Sequence, residues 1–200
     1  MEYKYLLEVL KSGLYEEYYD DLHFALIPFL DAEVYGRSIL ENSTFIVSSV
    51  FFNKEKHGTG FVARLSGATA EFLHMLRIMN LGEKPFKMKD TKEIFMPDPV
   101  LNKKLFTKKA ETIEFNFKTG KKEIQLAKNS YGFSVFTNTF IVYKNPKNKN
   151  TYGKNKVSPV RYTIYPAKGK KQIINSTCLA EPYVSLLRNS KINKIEILLD

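Results

Sequence analysis

Residues 57–73, HGTGFVARLSGATAEFL, decide how this chain is read. A glycine-rich, polar approach runs through Ser66 and Gly67 into an apolar-periodic segment, the pattern of a loop feeding a helix start. Ser66 has the chemistry of an N-cap, accepting from one of the backbone N–H groups that a helix start leaves without a partner. Gly67 carries no side chain, so an anion such as phosphate or sulfate can approach the first-turn amides. Phe72, Leu73, Leu76 and Met79 follow in steps of three and four residues and predict one buried helix face that holds this start rigid. The same spacing also fits an ordinary capped helix that binds nothing.

Upstream, Tyr3 to Ser12 predicts a short amphipathic helix with Leu6, Leu7 and Leu10 on one face and Gly13 as its stop. A second helix is expected over Tyr15 to Leu30, kinked or ended by Pro28. Its acids Glu16, Glu17, Asp20 and Asp21 suit an exposed helix start better than a catalytic pair, which needs one carboxyl with a raised pKa. In residues 35–49, Tyr35, Arg37, Glu41 and Asn42 precede the apolar Phe45-Ile46-Val47 in what reads as a helical context. Arg37 can grip a phosphate or carboxylate with both prongs of its guanidinium, and Glu41 can accept from sugar hydroxyls. Four apart on a helix, the two can equally pair with each other. Residues 51–60 read as a loop, and Arg64 is a candidate partner for an anion at Ser66 or a structural arginine.

The period changes after Gly82, where Pro85, Pro97 and Pro99 follow, so two domains are expected, 1–82 and 83–200. Ile113, Phe115 and Phe117 alternate, as do Phe133 and Val135, Phe140 and Val142, Val160, Tyr162 and Ile164, and Ile195, Ile197 and Leu199. With turns at 118–121 and 168–170, these short strands predict an antiparallel β-sandwich. Residues 145–156 read as a long exposed connection, and Glu181 to Arg188 as one or two helical turns. The fold class is therefore α+β, with helices first and the sandwich last.

Charge separates the two parts. Residues 1–82 carry 7 Lys+Arg against 11 Asp+Glu, and residues 83–200 carry 24 against 10, so a total of +10 hides a basic second domain. Its positive charges are almost all lysine, scattered singly or in pairs without arginine runs, which favours a solvated surface over a nucleic-acid footprint. One cysteine, Cys178, excludes an internal disulfide framework and no Cys/His cluster has zinc spacing, so neither metal nor disulfide is expected. No charged n-region with an apolar h-region opens the chain, and no run of about 18 apolar residues occurs. The expected compartment is the cytoplasm.

The motif G-x-G-F-x-A-R-L-[ST]-G-x-x-A-x-F resembles the cellobiose-phosphorylase type of glycoside phosphorylase. So does the upstream block YGRSILENSTFIVSS at residues 35–49, in the right order and spacing; VYKNPKNKNTYG at 142–153 and the closing AEPYVSLLRNSKINKIEILL match more loosely. Proteins of this type are several times longer than this chain, so the resemblance implies their C-terminal end. It implies the last helices of an (α/α)-barrel in 1–82 and a closing β-sandwich in 83–200. It further implies that Ser66, standing for the family's threonine, and Gly67 contact phosphate, with Arg37, Glu41 and Arg64 as possible substrate or phosphate contacts. The family's general-acid aspartate and an additional phosphate-contacting histidine have no matching position here, so the chain alone is expected to be inactive. Inorganic phosphate would be the co-substrate, with no other cofactor. The expected partners are an oligosaccharide and either a separate catalytic chain or another copy of this one. A carbohydrate-binding or structural accessory module is the competing reading, and a basic nucleic-acid-binding domain ranks behind both.

Overall fold

The computed structural model describes residues 2–27, 30–38, 43–63, 67–117, 120–136 and 138–200. The protein is α+β and divides into two compact units, Met1–Arg77 and Ile78–Asp200.

In the first unit, α1 (Glu2–Lys11) and α2 (Tyr15–Ala25) form the helical part. Leu6, Leu7 and Leu10 of α1 are buried as their spacing predicts, joined by Tyr18 and Leu22 of α2. Gly13 stands between the helices at φ 80°, a conformation that costs glycine little. α2 ends at Ala25, with Leu26 already extended, three residues short of the proline expected to kink or end it. Pro28 has no N–H to give the Phe24 carbonyl, and a proline disfavours helical backbone at the residue before it, so the ladder stops short of it. α3 (Ala32–Tyr35) is one turn, capped by the Asp31 carboxylate, which accepts from Glu33 N at 2.9 Å, and closed by Gly36 at φ 68°.

The helical context expected for 35–49 is overturned, because Ser43–Ile46 is a strand, β1, paired antiparallel with β2 (Gly60–Ala63). The glycine-rich approach to Ser66 is thus partly strand rather than loop. Gly60 is required by packing there, since a Cβ would overlap the Tyr35 ring and lie 2.5 Å from Ser43 Oγ. α4 (Gly67–Leu81) then begins at the predicted glycine. Met75, Ile78 and Met79 are its buried residues, whereas Leu73, expected in the core, is 59% exposed.

The second unit opens with the last turn of α4, and its described residues form nine strands. A hairpin of β3 (Phe86–Lys89) and β4 (Lys92–Phe95) turns at Asp90 and Thr91, both at positive φ. A longer hairpin joins β5 (Glu111–Phe117) to β6 (Gly120–Leu126). The remaining strands are β7 (Ser130–Val135), β8 (Thr139–Lys144), β9 (Pro159–Pro166), β10 (Gln172–Asn175) and β11 (Ile192–Leu199). They form one sheet in the order β10-β9-β11-β8-β7. The expectation of a wholly antiparallel arrangement needs correction, because β11 inserts between β9 and β8 and runs parallel to β8. A parallel pair needs a long crossover. The chain supplies one through β9, β10 and α5 (Tyr183–Arg188), the predicted late helix.

Alternation sorts the sheet into two faces. Ile141, Tyr143, Tyr162, Ile164, Ile195 and Ile197 share one face and are all within 1% of full burial. On the other face Phe140 and Val142 pack against Phe117, Ile124 and Leu126 of the β5–β6 hairpin. Residues 145–156 are not simply an exposed connection. Asn145, Thr151 and Tyr152 are buried, and Thr151 Oγ1 donates to Pro99 O and accepts from Leu101 N, each at 2.6 Å. Polar side chains there replace the apolar pattern that would have announced burial.

Candidate functional site

Of the residues singled out from sequence, Glu41, Arg64 and Ser66 lie outside the described residues, while Arg37 and Gly67 can be placed. Gly67 is the first residue of α4, where a helix presents N–H groups with no acceptor in a preceding turn and a partial positive charge. Arg37 is not on a helix: it follows the Gly36 cap, so the i,i+4 argument for pairing it with Glu41 loses its basis. Its Nε donates to Gly60 O at 2.9 Å, which ties the arginine to the start of β2.

The same corner is braced by Tyr35, fully buried, whose hydroxyl accepts from Ser43 N at 3.0 Å and shares a hydrogen with Ser43 Oγ at 2.6 Å. Tyr35, Arg37, Ser43 and Gly60 therefore form one polar joint between α3 and the β1–β2 pair. His57, beside Gly58, has its Nε2 at 2.7 Å from Phe51 O and closes its own loop. On α4, Arg77 Nη2 donates to His74 Nε2 at 2.7 Å, and because arginine can only donate, that ring nitrogen must be unprotonated.

The second unit contains a charged network that sequence reading did not single out. Glu196 of β11 accepts from Lys144 (2.8 Å) and Lys194 (2.9 Å), and Tyr165 OH donates to it at 3.2 Å. Lys194 Nζ also lies 4.3 Å from the centre of the Tyr165 ring. Burial pushes the Glu196 carboxyl up, but hydrogen bonds and attraction from the two lysines outweigh that and hold it below its ordinary value. The network was hidden because its members come from three strands, and only the register β8-β11-β9 aligns them. Among the described residues, no group of three or more His, Cys, Asp or Glu side chains could hold a metal ion. No described helix is long and apolar enough to cross a membrane.

A scan against protein-family models finds no match for this chain, and a search of curated proteins finds no relative.

Proposed function

We propose that the chain is the C-terminal portion of a cellobiose-phosphorylase-like enzyme, acting on β-linked glucosides such as cellobiose to release a sugar 1-phosphate. In this reading the helices of the first unit close an (α/α)-barrel, and the five-stranded sheet with the β5–β6 hairpin across it is the terminal sandwich. In such a reaction phosphate attacks the anomeric carbon with inversion while an acid protonates the leaving oxygen. Ser66 and Gly67 would hold the phosphate through a hydroxyl and a backbone N–H, with Arg37, Glu41 and Arg64 as further contacts. The acid would come from another part of the catalytic assembly. The working compartment is the cytoplasm and phosphate is the only co-substrate.

The observation that supports this reading is that a 15-residue helix opens at the motif's glycine. Phosphate favours such a helix start because oriented N–H groups and the helix dipole act together there. The test is phosphorolysis of cellobiose, and its reverse from glucose 1-phosphate and glucose. The chain is assayed alone and mixed with the product of the adjacent upstream reading frame. Activity only in the mixture is expected, lowered about 10- to 100-fold by Ser66→Ala, the worth of one hydrogen bond to a charged group. Activity from the chain alone would overturn the assignment of the acid elsewhere, and inactivity in both would overturn the phosphorylase reading.

A second reading is favoured by one observation. Phe24, Phe45, Val50, Phe52 and Leu73 of the first unit are each more than half exposed, and Phe45 pairs with the 43%-exposed Phe61 across β1–β2. A contiguous exposed apolar patch built from such residues marks a surface that packs on another chain. In that reading the protein is a non-catalytic accessory seated on a separate catalytic chain.

A further inference from the structure

Lysines that stand singly or in pairs along the sequence are gathered by the topology of the second unit at one end of its five-stranded sheet. β8 and β11 run parallel, and β7 and β9 run antiparallel to them, so the first two strands finish where the other two begin. Three segments converge on that end: 97–111, which leads into β5, 127–129 between β6 and β7, and 145–158 between β8 and β9. Hydrogen bonds join them. Thr151 N donates to Leu101 O (3.0 Å) and Lys103 N to Asn150 Oδ1 (2.9 Å), which lays the first segment along the third. Thr107 N donates to Ser130 O (2.9 Å), Asn129 N to Thr107 O (2.8 Å) and Asn145 N to Asn129 O (2.9 Å), which ties in the second. Asp200, the residue after β11, exchanges backbone hydrogen bonds with Ser158 at the same end.

The three segments carry nine lysines and no arginine, against three acids: Asp98, Glu111 and the adjoining Asp200. Lys156 pairs with Asp98 and Lys147 with Asp200. Six others, Lys103, Lys104, Lys108, Lys109, Lys128 and Lys149, are exposed and have no acid partner among the described residues. Like charges held together raise a local positive potential that draws a polyanion. The surroundings select which one. Without arginine the surface lacks the planar fork that matches carboxylates, whereas lysine serves phosphate as a point charge. Docking on a membrane calls for an apolar anchor too, and Leu105, 38% exposed, is the only large exposed apolar side chain in these segments. Phe106 and Tyr152 are buried, so no ring is offered for stacking an unpaired base. We infer that this end of the sheet binds the phosphate backbone of a nucleic-acid duplex without reading its sequence. The inference rests on the second unit alone and stands whether or not the chain takes part in phosphorolysis.

The test is the fluorescence anisotropy of a labelled DNA duplex of arbitrary sequence, titrated with the full chain from about 50 to 200 mM NaCl. Contacts to about four to six phosphates make the logarithm of the binding constant fall linearly with that of salt, with a slope of about −4 to −5. The triple change Lys104→Gln, Lys108→Gln and Lys128→Gln is expected to reduce that slope by about one for each lysine removed, and to weaken binding to unrelated duplexes alike. The control takes the same charge from the opposite end of the sheet, where β9 turns into β10: Lys168→Gln, Lys170→Gln and Lys171→Gln together are expected to leave the slope unchanged. Equal losses from the two triple variants would show that net charge alone attracts the duplex and would overturn the inference. So would the absence of saturable binding at the lowest salt, or tighter binding to vesicles of anionic phospholipid or to a single-stranded oligonucleotide than to the duplex.

Discussion

Removing one oxygen atom, Tyr143→Phe, tests how the end of α4 is held in the second unit. The last four carbonyls of a helix have no acceptor role to play within it and must find donors elsewhere. Here each has one. Ile78 O accepts from Gly82 N (2.8 Å), Met79 O from Val100 N (2.8 Å), Asn80 O from Tyr143 OH (2.7 Å) and Leu81 O from Asp98 N (3.0 Å). Three of the donors are backbone groups that no substitution short of proline can remove. The fourth is a phenol, fully buried, which burial and then the neighbouring Tyr162 and Tyr131 hold well above its ordinary pKa, so it stays a donor.

Phenylalanine keeps the ring and its packing against Phe133, with centroids 5.6 Å apart, and deletes only the donor. The Asn80 carbonyl is then left without a partner, at a cost of about 1–3 kcal/mol. For a unit of about 120 residues the unfolding entropy is about 0.25 kcal/mol/K, so the melting temperature should fall by about 4–12 °C. Calorimetry of the full chain, following the transition of this unit, reads the shift. Tyr131→Phe is the control: its hydroxyl donates to Asn80 Oδ1 at 2.9 Å, an amide that can turn to water when released. A Tyr143→Phe loss no larger than that of Tyr131→Phe would refute the idea that the phenol closes the helix.

Two further predictions address the other polar clusters. Glu196→Gln should destabilise the second unit near neutral pH. A carboxyl whose folded pKa is depressed contributes stability that is fully present above its unfolded value and is lost as pH falls through the folded one. The gap between wild type and variant should therefore be constant above the ordinary value of 4.5 and shrink below it, and denaturant unfolding across pH 2–7 reads this. A gap that widens in acid would refute the assigned charge state. Gly60→Ala should destabilise the first unit by about 1–3 kcal/mol, because the new methyl meets Tyr35 and Ser43 at the braced corner. Its readout is the loss of near-ultraviolet tyrosine signal on heating at a lower temperature than wild type, and an unchanged transition would refute the packing argument.

The fold was legible where burial and period coincide. Ile195 and Ile197 alternate cleanly because β11 is central and its apolar positions face one core. Leu6 and Leu10 gave α1 for the same reason. Hairpins were legible only when glycine marked the turn. The β9–β10 turn contains Gly169 at φ 101°, whereas β3–β4 turns on Asp90 and Thr91, which adopt positive φ without the usual asparagine–glycine signal. β1 and β2 were missed because Phe45 and Phe61 are their exposed residues, which inverts the pattern that a reader expects of a half-buried strand. The parallel pairing of β8 with β11 has no local signature at all, since it is fixed by where the crossover returns.

Site chemistry was less legible than fold because it depends on register. Gly67 could be read as a helix start from its neighbours alone, and α4 begins there. Arg37 could not be placed, because the helix assumed to carry it gives way after one turn to a glycine cap, and a cap changes which residues face each other. Asn193 is the clearest case. By sequence it is one more polar residue in a lysine-rich strand, and alternation from Ile195 would put it on the buried face. Only an extra residue in β11, where Ile192 pairs with Pro166 and Lys194 with Tyr165, turns it outward beside Lys194. A periodic reading assumes that every residue advances the strand by one step, so it fails at the position where a strand stops doing so.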